Sequence, residues 1–398
     1  MIPCTLYSFV LLSFTAFAAA APQTVEPGAL EVGDAVTPIA ETEVVVDEFG
    51  VEWVQVPDVE EEPVERRQEA ASTSSASGSA SGPGKKCRQL EVRKEWRDLS
   101  SSNKRSYIAA VKCLQSTRAS NHTLPNKFTR YDEYVIQHTE SADNIHGVAQ
   151  FLPWHRHFGY LYHQGIRQCG YKGPFPYWDW TRDTSGTTPV ANSPIFNPTT
   201  GFGGNGVPNT YTVPTDDDGS AWPLNPQAFS YPAGCIGSGP FKNTVFHVGP
   251  NRRLTDHCLV RRFLEDMRPV LSPANINNIL SQTNYDAFWN SLDGLPFKPD
   301  PALHDGGHGF IGGDMASFYT SNNDPVFYLH HAGLDRIWWK WVSTNLNVRL
   351  NQIQGQTSPF PPHGSITGDW VLPFQPFSSN IQVKYTMDIR NEPYCYTY

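Results

Sequence analysis

The chain has 398 residues, of which 17% are charged and 13% aromatic, and its formal net charge is −9. A chain of this length can bury one large hydrophobic core or two smaller ones. The charge balance gives no indication of a nucleic-acid partner, which would require an excess of basic residues.

The first 20 residues are predicted to be a secretory signal peptide. Residues 5–20 form an apolar run that ends in small residues, and Ala18 to Ala20 offer an A-x-A cleavage site. The basic residues that usually precede such a run are missing. No second apolar stretch of about 20 residues follows, so we expect no membrane association. The sequence therefore predicts a secreted protein.

Residues 21–67 are predicted to be an acidic pro-segment. They carry 13 acidic residues and no basic residue before the pair Arg66-Arg67, which is the kind of site that processing proteases cut. A solvated spacer is the alternative interpretation. From Arg66 onward, 30 Lys and Arg stand against 26 acidic residues, so this part of the chain carries a formal charge of +4. Residues 68–86 are rich in Ser, Ala and Gly, which is typical of a flexible linker.

Residues 87–398 are predicted to form one domain. Pro, Gly and aromatic residues are abundant and long strand patterns are few, so we expect a mainly α fold with long irregular loops and few short strands. Six cysteines lie outside the signal peptide, which predicts three disulfides. Cys235 and Cys258 form a plausible local pair, and the remaining pairing is open. Asn121 lies in a glycosylation sequon.

A first set of histidines lies between residues 131 and 169. His138 ends a predicted helix, and His146 follows in a polar segment that is typical of a loop. His155 lies near the start of the next predicted helix, just after Pro153. Three histidines from a helix end, a loop and a helix start can converge on one metal ion.

A second set begins with the sequence HDGGH at residues 304–308. His304 and His308 would share one face of a helix and could bind one ion. Each intervening glycine, however, disfavours a helix by about 1 kcal/mol. A further helix is predicted from residue 325, in which His330 and His331 point about 100° apart. Only one of these two histidines can therefore complete the set.

Two such sets in one core indicate a dinuclear metal centre. Their ligands are all imidazoles, without thiolates or carboxylates, and this donor set suits copper or zinc. A zinc hydrolase of the metalloprotease type is disfavoured, because HDGGH lacks the glutamate of the H-E-x-x-H motif.

Three further motifs accompany the histidines: FLPWHRHF at 151–158, PYWDW at 176–180 and NDPVFYLHHAGLDRIWWKW at 323–341. They resemble the tyrosinase and catechol oxidase family of type 3 copper proteins, and the resemblance extends from Arg93 to residues 394–396. It implies a helical bundle that holds two copper ions, with His331 rather than His330 as a ligand. The implied ligands are, for copper A, His138, His146 and His155, and for copper B, His304, His308 and His331. The glycines of HDGGH are then expected to leave room above the metal.

The departures from the family pattern concern two acid–base groups and the access of substrates to the metal centre. Asp305 stands where tyrosinases often have Asn, and Asp293 stands in place of the glutamate that acts as a base. Either carboxylate could accept the proton of a monophenol, or the Asp305 charge could repel a phenolate. Phe318 matches the position at which plant catechol oxidases place a phenylalanine over a copper. We therefore expect it to narrow the access of substrates to the metal centre. Asp179, Asp335 and Arg336 are expected to support the structure.

The resemblance implies an enzyme that oxidises o-diphenols to o-quinones with dioxygen, with weaker hydroxylation of monophenols. With the predicted signal peptide, we expect this enzyme to be secreted, and we expect it to be a monomer. The alternatives are a full tyrosinase, an o-aminophenol oxidase and, more remotely, an oxygen carrier of the haemocyanin type. Small phenolic compounds and dioxygen are the expected partners.

Overall fold

The computed structural model describes residues 43–56, 83–212, 233–294 and 297–398. The predicted signal peptide and the dibasic pair lie outside these residues. The α-helices in the described ranges are α1 (Ser101–Ser116), α2 (Arg130–Ser141), α3 (Phe151–Gln168), α4 (Thr181–Thr184), α5 (Pro273–Leu280), α6 (Tyr285–Leu292), α7 (Leu303–Ile311), α8 (Val326–Ser343) and α9 (Leu346–Arg349). None of the described helices is long and apolar enough to cross a membrane.

The strands are short and form small sheets. They are β1 (Val44–Val46), β2 (Glu52–Gln55), β3 (Gln89–Val92), β4 (Lys94–Glu95), β5 (Pro176–Tyr177), β6 (Gly234–Cys235), β7 (Val260–Arg261), β8 (Val371–Leu372), β9 (Ile381–Gln382) and β10 (Tyr396–Thr397). One sheet has the order β1-β2-β3-β10, and the other strands pair as β4-β5, β6-β7 and β8-β9. The prediction of a mainly α fold with few short strands is confirmed.

Local hydrogen bonds explain where the histidine-bearing helices start. Before α2, the Thr129 hydroxyl accepts the Asp132 N–H, and the Asp132 carboxylate accepts the Thr129 N–H in return. Before α8, the Asp324 carboxylate accepts the N–H of Val326 at 3.0 Å. The helix α3 begins at Phe151, so Pro153 lies in its first turn, where its missing N–H costs no helical hydrogen bond.

Helices α3 and α8 pack against each other through aromatic and ionic contacts. The rings of Tyr162 and Tyr328 stack with centroids 3.3 Å apart. The Arg156 guanidinium lies 3.6 Å from the ring centroid of Trp338 and donates to the Asp335 carboxylate at 2.5 Å. Because α3 carries His155 and α8 carries His331, this interface fixes the two histidines relative to each other.

Asp335 also joins α8 to the end of the chain. Its carboxylate lies 3.5 Å from the Arg93 guanidinium and accepts the hydroxyls of Tyr396 and Tyr398 at 2.5 Å each. Burial alone would raise the pKa of Asp335, but the two arginines and the two tyrosine hydroxyls together outweigh it, and the pKa is lowered. Asp335 thus holds Arg93 and Arg156 together, in keeping with its predicted supporting role. The predicted supporting residues Asp179 and Arg336 form an ion pair at 3.4 Å.

Part of the predicted pro-segment belongs to the main sheet. Strands β1 and β2 form a hairpin, and β2 pairs antiparallel with β3, so that Trp53 lies opposite Glu91. Val51 is fully buried, and the Glu52 carboxylate accepts the Lys94 ammonium at 2.6 Å. Residues 43–56 therefore pack against the predicted domain at 87–398.

The prediction of three disulfides is confirmed. They join Cys87 to Cys395, Cys113 to Cys169 and Cys235 to Cys258. The first of these lies near the hydrogen bond from the Gly84 N–H to the Glu392 carbonyl, so residues at the end of the predicted linker contact the chain terminus.

Candidate metal centre

The HDGGH sequence is helical and lies within α7. A Cβ atom on Gly307 would lie 2.2 Å from Cε1 of His330, and a Cβ on Gly306 would lie 3.0 Å from Leu271. The two glycines therefore allow close packing of α7 against α8 and against the segment before α5. Our expectation that they leave room above the metal is wrong, because the space at both positions is filled by protein.

The first histidine set converges as predicted. His138 lies in α2, His146 in the following loop and His155 in α3, and their side chains are buried. Their ring centroids lie 5.1–5.7 Å apart. Each Nδ1 contacts a backbone carbonyl at 2.7–2.9 Å, of Tyr319, Ala142 and Phe151 respectively. A proton on Nδ1 satisfies these contacts and leaves the Nε2 lone pair free to bind a metal.

The second set converges in the same way. The ring centroids of His304, His308 and His331 lie 4.5–5.4 Å apart. Nδ1 of His304 contacts the Asp293 carboxylate at 2.9 Å, and Nδ1 of His308 contacts the Met315 carbonyl at 2.6 Å. The Nε2 atoms of these two histidines are therefore available as metal ligands.

His330 and His331 have different surroundings. Nε2 of His330 contacts the His304 carbonyl at 3.0 Å, and its ring lies against Gly307 and Trp180. Nε2 of His331 lies 3.2 Å from Nε2 of His308. Two nitrogens that each lie about 2.0 Å from one ion in a tetrahedral arrangement are separated by about 3.3 Å. His331 therefore has the geometry of a ligand, and His330 packs beside the set.

The two sets face each other. The His155 and His331 rings stack with centroids 4.4 Å apart, and the His146 and His304 rings are nearly parallel at 5.8 Å. The buried Nε2 atoms of His138, His155 and His304 have no hydrogen-bond partner among the described residues. Buried polar atoms without partners are costly, and metal ions bound by each set would satisfy them. The histidine clusters could thus hold two metal ions.

Five of the imidazoles are held in the neutral form that metal binding needs. Burial, together with the neighbouring imidazoles, lowers the pKa of His138 to about 3 and that of His146 to about 4. The same causes lower the pKa of His155, His308 and His331. At neutral pH, protons therefore do not compete with a metal for these nitrogens.

Two buried phenylalanines that the sequence analysis did not assign to the centre pack against its histidine rings. The Phe151 ring lies 4.6 Å from the rings of both His155 and His304. The Phe327 ring lies 4.1 Å from His331 and 5.3 Å from His138. Phe151 begins the FLPWHRHF motif, and Phe327 lies one turn before His331, so their spacing from the histidines was the available signal.

The three predicted residues Asp293, Asp305 and Phe318 all lie at the centre. One Asp293 oxygen accepts the proton of His304, and the other accepts the Gly147 N–H at 2.9 Å. The Asp305 carboxylate accepts the Ala302 N–H at 2.7 Å, at the start of α7. The Phe318 ring is partly buried, with its centroid 4.8 Å from that of His146.

Comparison with known proteins agrees with this arrangement. The family model described as the common central domain of tyrosinase matches residues 127–344, which include both histidine sets. The tyrosinase-like protein phomQ1 of Diaporthe leptostromiformis is 35% identical over 343 residues, which is 79% of each chain. Tyrosinase P of Aspergillus terreus is 31% identical over 83% of this chain and 97% of its own length.

An oxidase and a solved structure extend the comparison. The N-acetyl-6-hydroxytryptophan oxidase ivoB of Emericella nidulans is 30% identical over 77% of this chain and 92% of its own. A mutant polyphenol oxidase from Thermothelomyces thermophila superposes with a TM-score of 0.67 at 28% identity, covering 78% of this chain and 88% of that one. The histidine geometry and these similarities together show that the chain belongs to the tyrosinase family of copper oxidoreductases.

Proposed function

We propose that this protein is a secreted, monomeric dicopper oxidase that converts o-diphenols to o-quinones. The observation that carries the proposal is the pair of buried imidazole sets that face each other, with unpartnered Nε2 atoms. His138, His146 and His155 would hold copper A, and His304, His308 and His331 would hold copper B. The chemistry that the two ions would supply is electron transfer, by which two o-diphenols and one dioxygen give two o-quinones and two waters.

The protein groups around the centre have distinct roles in this proposal. The carbonyls of Tyr319, Ala142 and Met315 orient ligand imidazoles by accepting Nδ1 protons. Phe151 and Phe327 exclude water from the space between the sets. The o-diphenol would enter beside Phe318, whose ring narrows the access to His146.

The acid–base groups support diphenol oxidation more than monophenol hydroxylation. The two oxygens of Asp293 accept the proton of His304 and the Gly147 N–H. A carboxylate with both oxygens engaged in hydrogen bonds is a weak base for a phenol. Asp305 is engaged at the start of α7. We therefore propose weak monophenol hydroxylation beside strong diphenol oxidation.

A full tyrosinase is the second candidate. It is favoured by the relative named tyrosinase P, which aligns over 97% of its length. The test is oxygen uptake by the copper-loaded protein with a catechol and the matching monophenol in parallel. We expect rapid uptake with the catechol and little with the monophenol. Comparable rates with both would identify a tyrosinase, and no uptake with either would refute the proposal.

Secretion is supported by the three disulfides, which persist in oxidising compartments. We further propose that residues 1–20 are removed on export and that the acidic segment is cut after Arg67. Because β2 is hydrogen bonded to β3, this cut alone would not release the hairpin at residues 43–56. N-terminal sequencing of the exported protein tests both cuts. A single N-terminus at residue 21 would contradict processing at the dibasic pair.

A further inference from the structure

Three phenylalanine rings lead from His146 to the protein surface. The ring centroid of Phe318 lies 4.8 Å from that of His146, that of Phe297 lies 6.2 Å from Phe318, and that of Phe360 lies 5.9 Å from Phe297. Phe318 and Phe297 are partly buried, whereas 66% of the Phe360 side chain is exposed. We call Phe318, Phe297 and Phe360 the aromatic wall.

The middle of the wall is built onto the segment that carries His146. Gly147 has a φ of +66°, and a Cβ atom at this position would lie 2.2 Å from Cδ2 of Phe297. Its N–H donates to Asp293 at 2.9 Å. Glycine at residue 147 thus permits both the left-handed backbone and the close approach of the Phe297 ring. The position of this ring is therefore tied to the metal centre.

The outer end of the wall is held by hydrogen bonds to the same segment. The Ala149 N–H donates to the Gln356 carbonyl at 2.8 Å, and the Gln356 side-chain amide donates to the Gly147 carbonyl at 2.9 Å. The Gln150 side-chain amide donates to the Thr357 carbonyl at 3.0 Å. The loop that carries Phe360 is thus fixed to the backbone next to His146.

The Phe360 side chain is not needed to close this loop. The N–H groups of Thr357 and Ser358 donate to the His363 carbonyl at 2.8 and 3.0 Å, and the Ser358 hydroxyl donates to the Phe360 carbonyl at 2.7 Å. Phe360 is also the most exposed of the large hydrophobic side chains that the structure describes. A phenyl ring in this position adds little burial to the fold but leaves apolar surface next to Phe297.

We propose that the aromatic wall is a substrate subsite that binds an apolar or aromatic substituent of the reacting phenol. This inference rests on the proposed phenol-oxidising function. An unsubstituted catechol beside His146 would contact Phe318 alone, whereas a substituent on an arm would reach Phe297 and Phe360. Ring spacings near 6 Å suit aromatic contacts. The ammonium of Lys298, next to Phe297 in the chain, donates to the carbonyls of Asn290 and Asp293, so two of its three protons are engaged.

The test compares two substrates in wild-type and variant proteins. One substrate is methylcatechol, and the other is a catechol that carries a phenyl ring on a butyl arm. The substitution Phe360→Ala removes exposed surface, and Val348→Ala is the matched control, since Val348 is 47% exposed on α9. The measured quantity is kcat/KM for the phenylbutyl substrate divided by kcat/KM for methylcatechol. We expect F360A to lower this ratio about three- to tenfold, because the variant loses one aromatic contact with the substituent. The control V348A should keep the wild-type ratio.

The outcomes separate the subsite from the proposed function. If wild type oxidises both catechols and F360A keeps the wild-type ratio, the subsite is wrong and the oxidase function stands. If the wild-type protein oxidises neither substrate, the proposed function and the subsite both fail. If wild type is a dimer in solution and F360A is a monomer, the wall is an interface between copies of the chain, which also overturns the subsite.

Discussion

His330 and His331 are neighbours in α8 but have opposite surroundings. The His331 ring stacks on His155, and its Nε2 lies 3.2 Å from that of His308. The His330 ring lies between Trp180 and Gly307, and its Nε2 contacts a backbone carbonyl. The position of these two residues along the chain does not show which of them is the metal ligand. The direction in which each ring points does show it.

The substitution His331→Ala should leave one metal set with two imidazoles. We expect this variant to bind one copper ion per chain instead of two and to lose catechol oxidation, because a set of two imidazoles holds copper weakly. Metal analysis and oxygen uptake measure the two effects. The exposed His122→Ala is the control and should behave as wild type. Full copper loading of H331A would show that His331 is not a ligand.

Asp293 lies between the two histidine sets. One of its oxygens contacts His304, and the other accepts the N–H of Gly147, the residue after His146. In the substitution Asp293→Asn, the amide oxygen can still accept the His304 proton, but the negative charge is lost. Such changes beside a ligand histidine typically reduce metal affinity or activity about 10- to 100-fold. We expect a decrease of this size in copper affinity, measured by competition with a chelator. An unchanged affinity would show that the charge of Asp293 does not support His304.

The glycines of α7 illustrate how packing between elements overrides helix propensity. Substitution Gly307→Ala would place a Cβ atom 2.2 Å from the buried His330 ring, and overpacking of this kind costs about 1–3 kcal/mol. We expect a lower free energy of unfolding in urea. The matched control is Gly159→Ala in α3, where nothing lies within 4 Å of the new Cβ. This control should stabilise the protein by about 0.5–1 kcal/mol; a G307A protein that is equally stabilised would contradict the packing argument.

The helices and the first histidine set could be predicted from the sequence because their signals are local, whereas the choice of His331 came from the family resemblance. The start of α8 follows from Asp324, and the first histidine set follows from a helix end, a loop and a helix start. Contacts between distant segments were not predictable from such patterns. The Arg156 partner of Asp335 lies 179 residues away, and residues 43–56 join the sheet through β3. The reason for the glycines in HDGGH also depends on α8, which begins well after them.

The folding stability of the whole molecule should depend on pH through its buried histidines. Their pKa values are about 3 for His138 and about 4 for His146 in the folded protein, against about 6.5 in the unfolded chain. The unfolded state therefore binds more protons below pH 6.5, and folding stability falls as the pH falls. His257 has the opposite effect on the pH dependence of stability. The Asp314 carboxylate outweighs the burial of His257 and raises its pKa.

The metal-free protein should therefore lose stability as the pH is lowered from about 6.5 toward 5, by about 1.4 kcal/mol per pH unit for each fully titrating histidine. Urea denaturation at successive pH values measures this slope. Above pH 7 the contribution of these histidines should be constant. A stability that rises on acidification between pH 7 and pH 5 would mean that the histidines are not held neutral by the fold.

The most direct test of the dinuclear centre is a copper titration of the metal-free protein, in which oxygen uptake with catechol is measured at each step. We predict that activity rises with copper and stops rising at two copper ions per chain, because each proposed set of three imidazole ligands would hold one ion. Full activity at one copper ion per chain, or catechol oxidation without copper, would contradict the assignment of the two histidine sets.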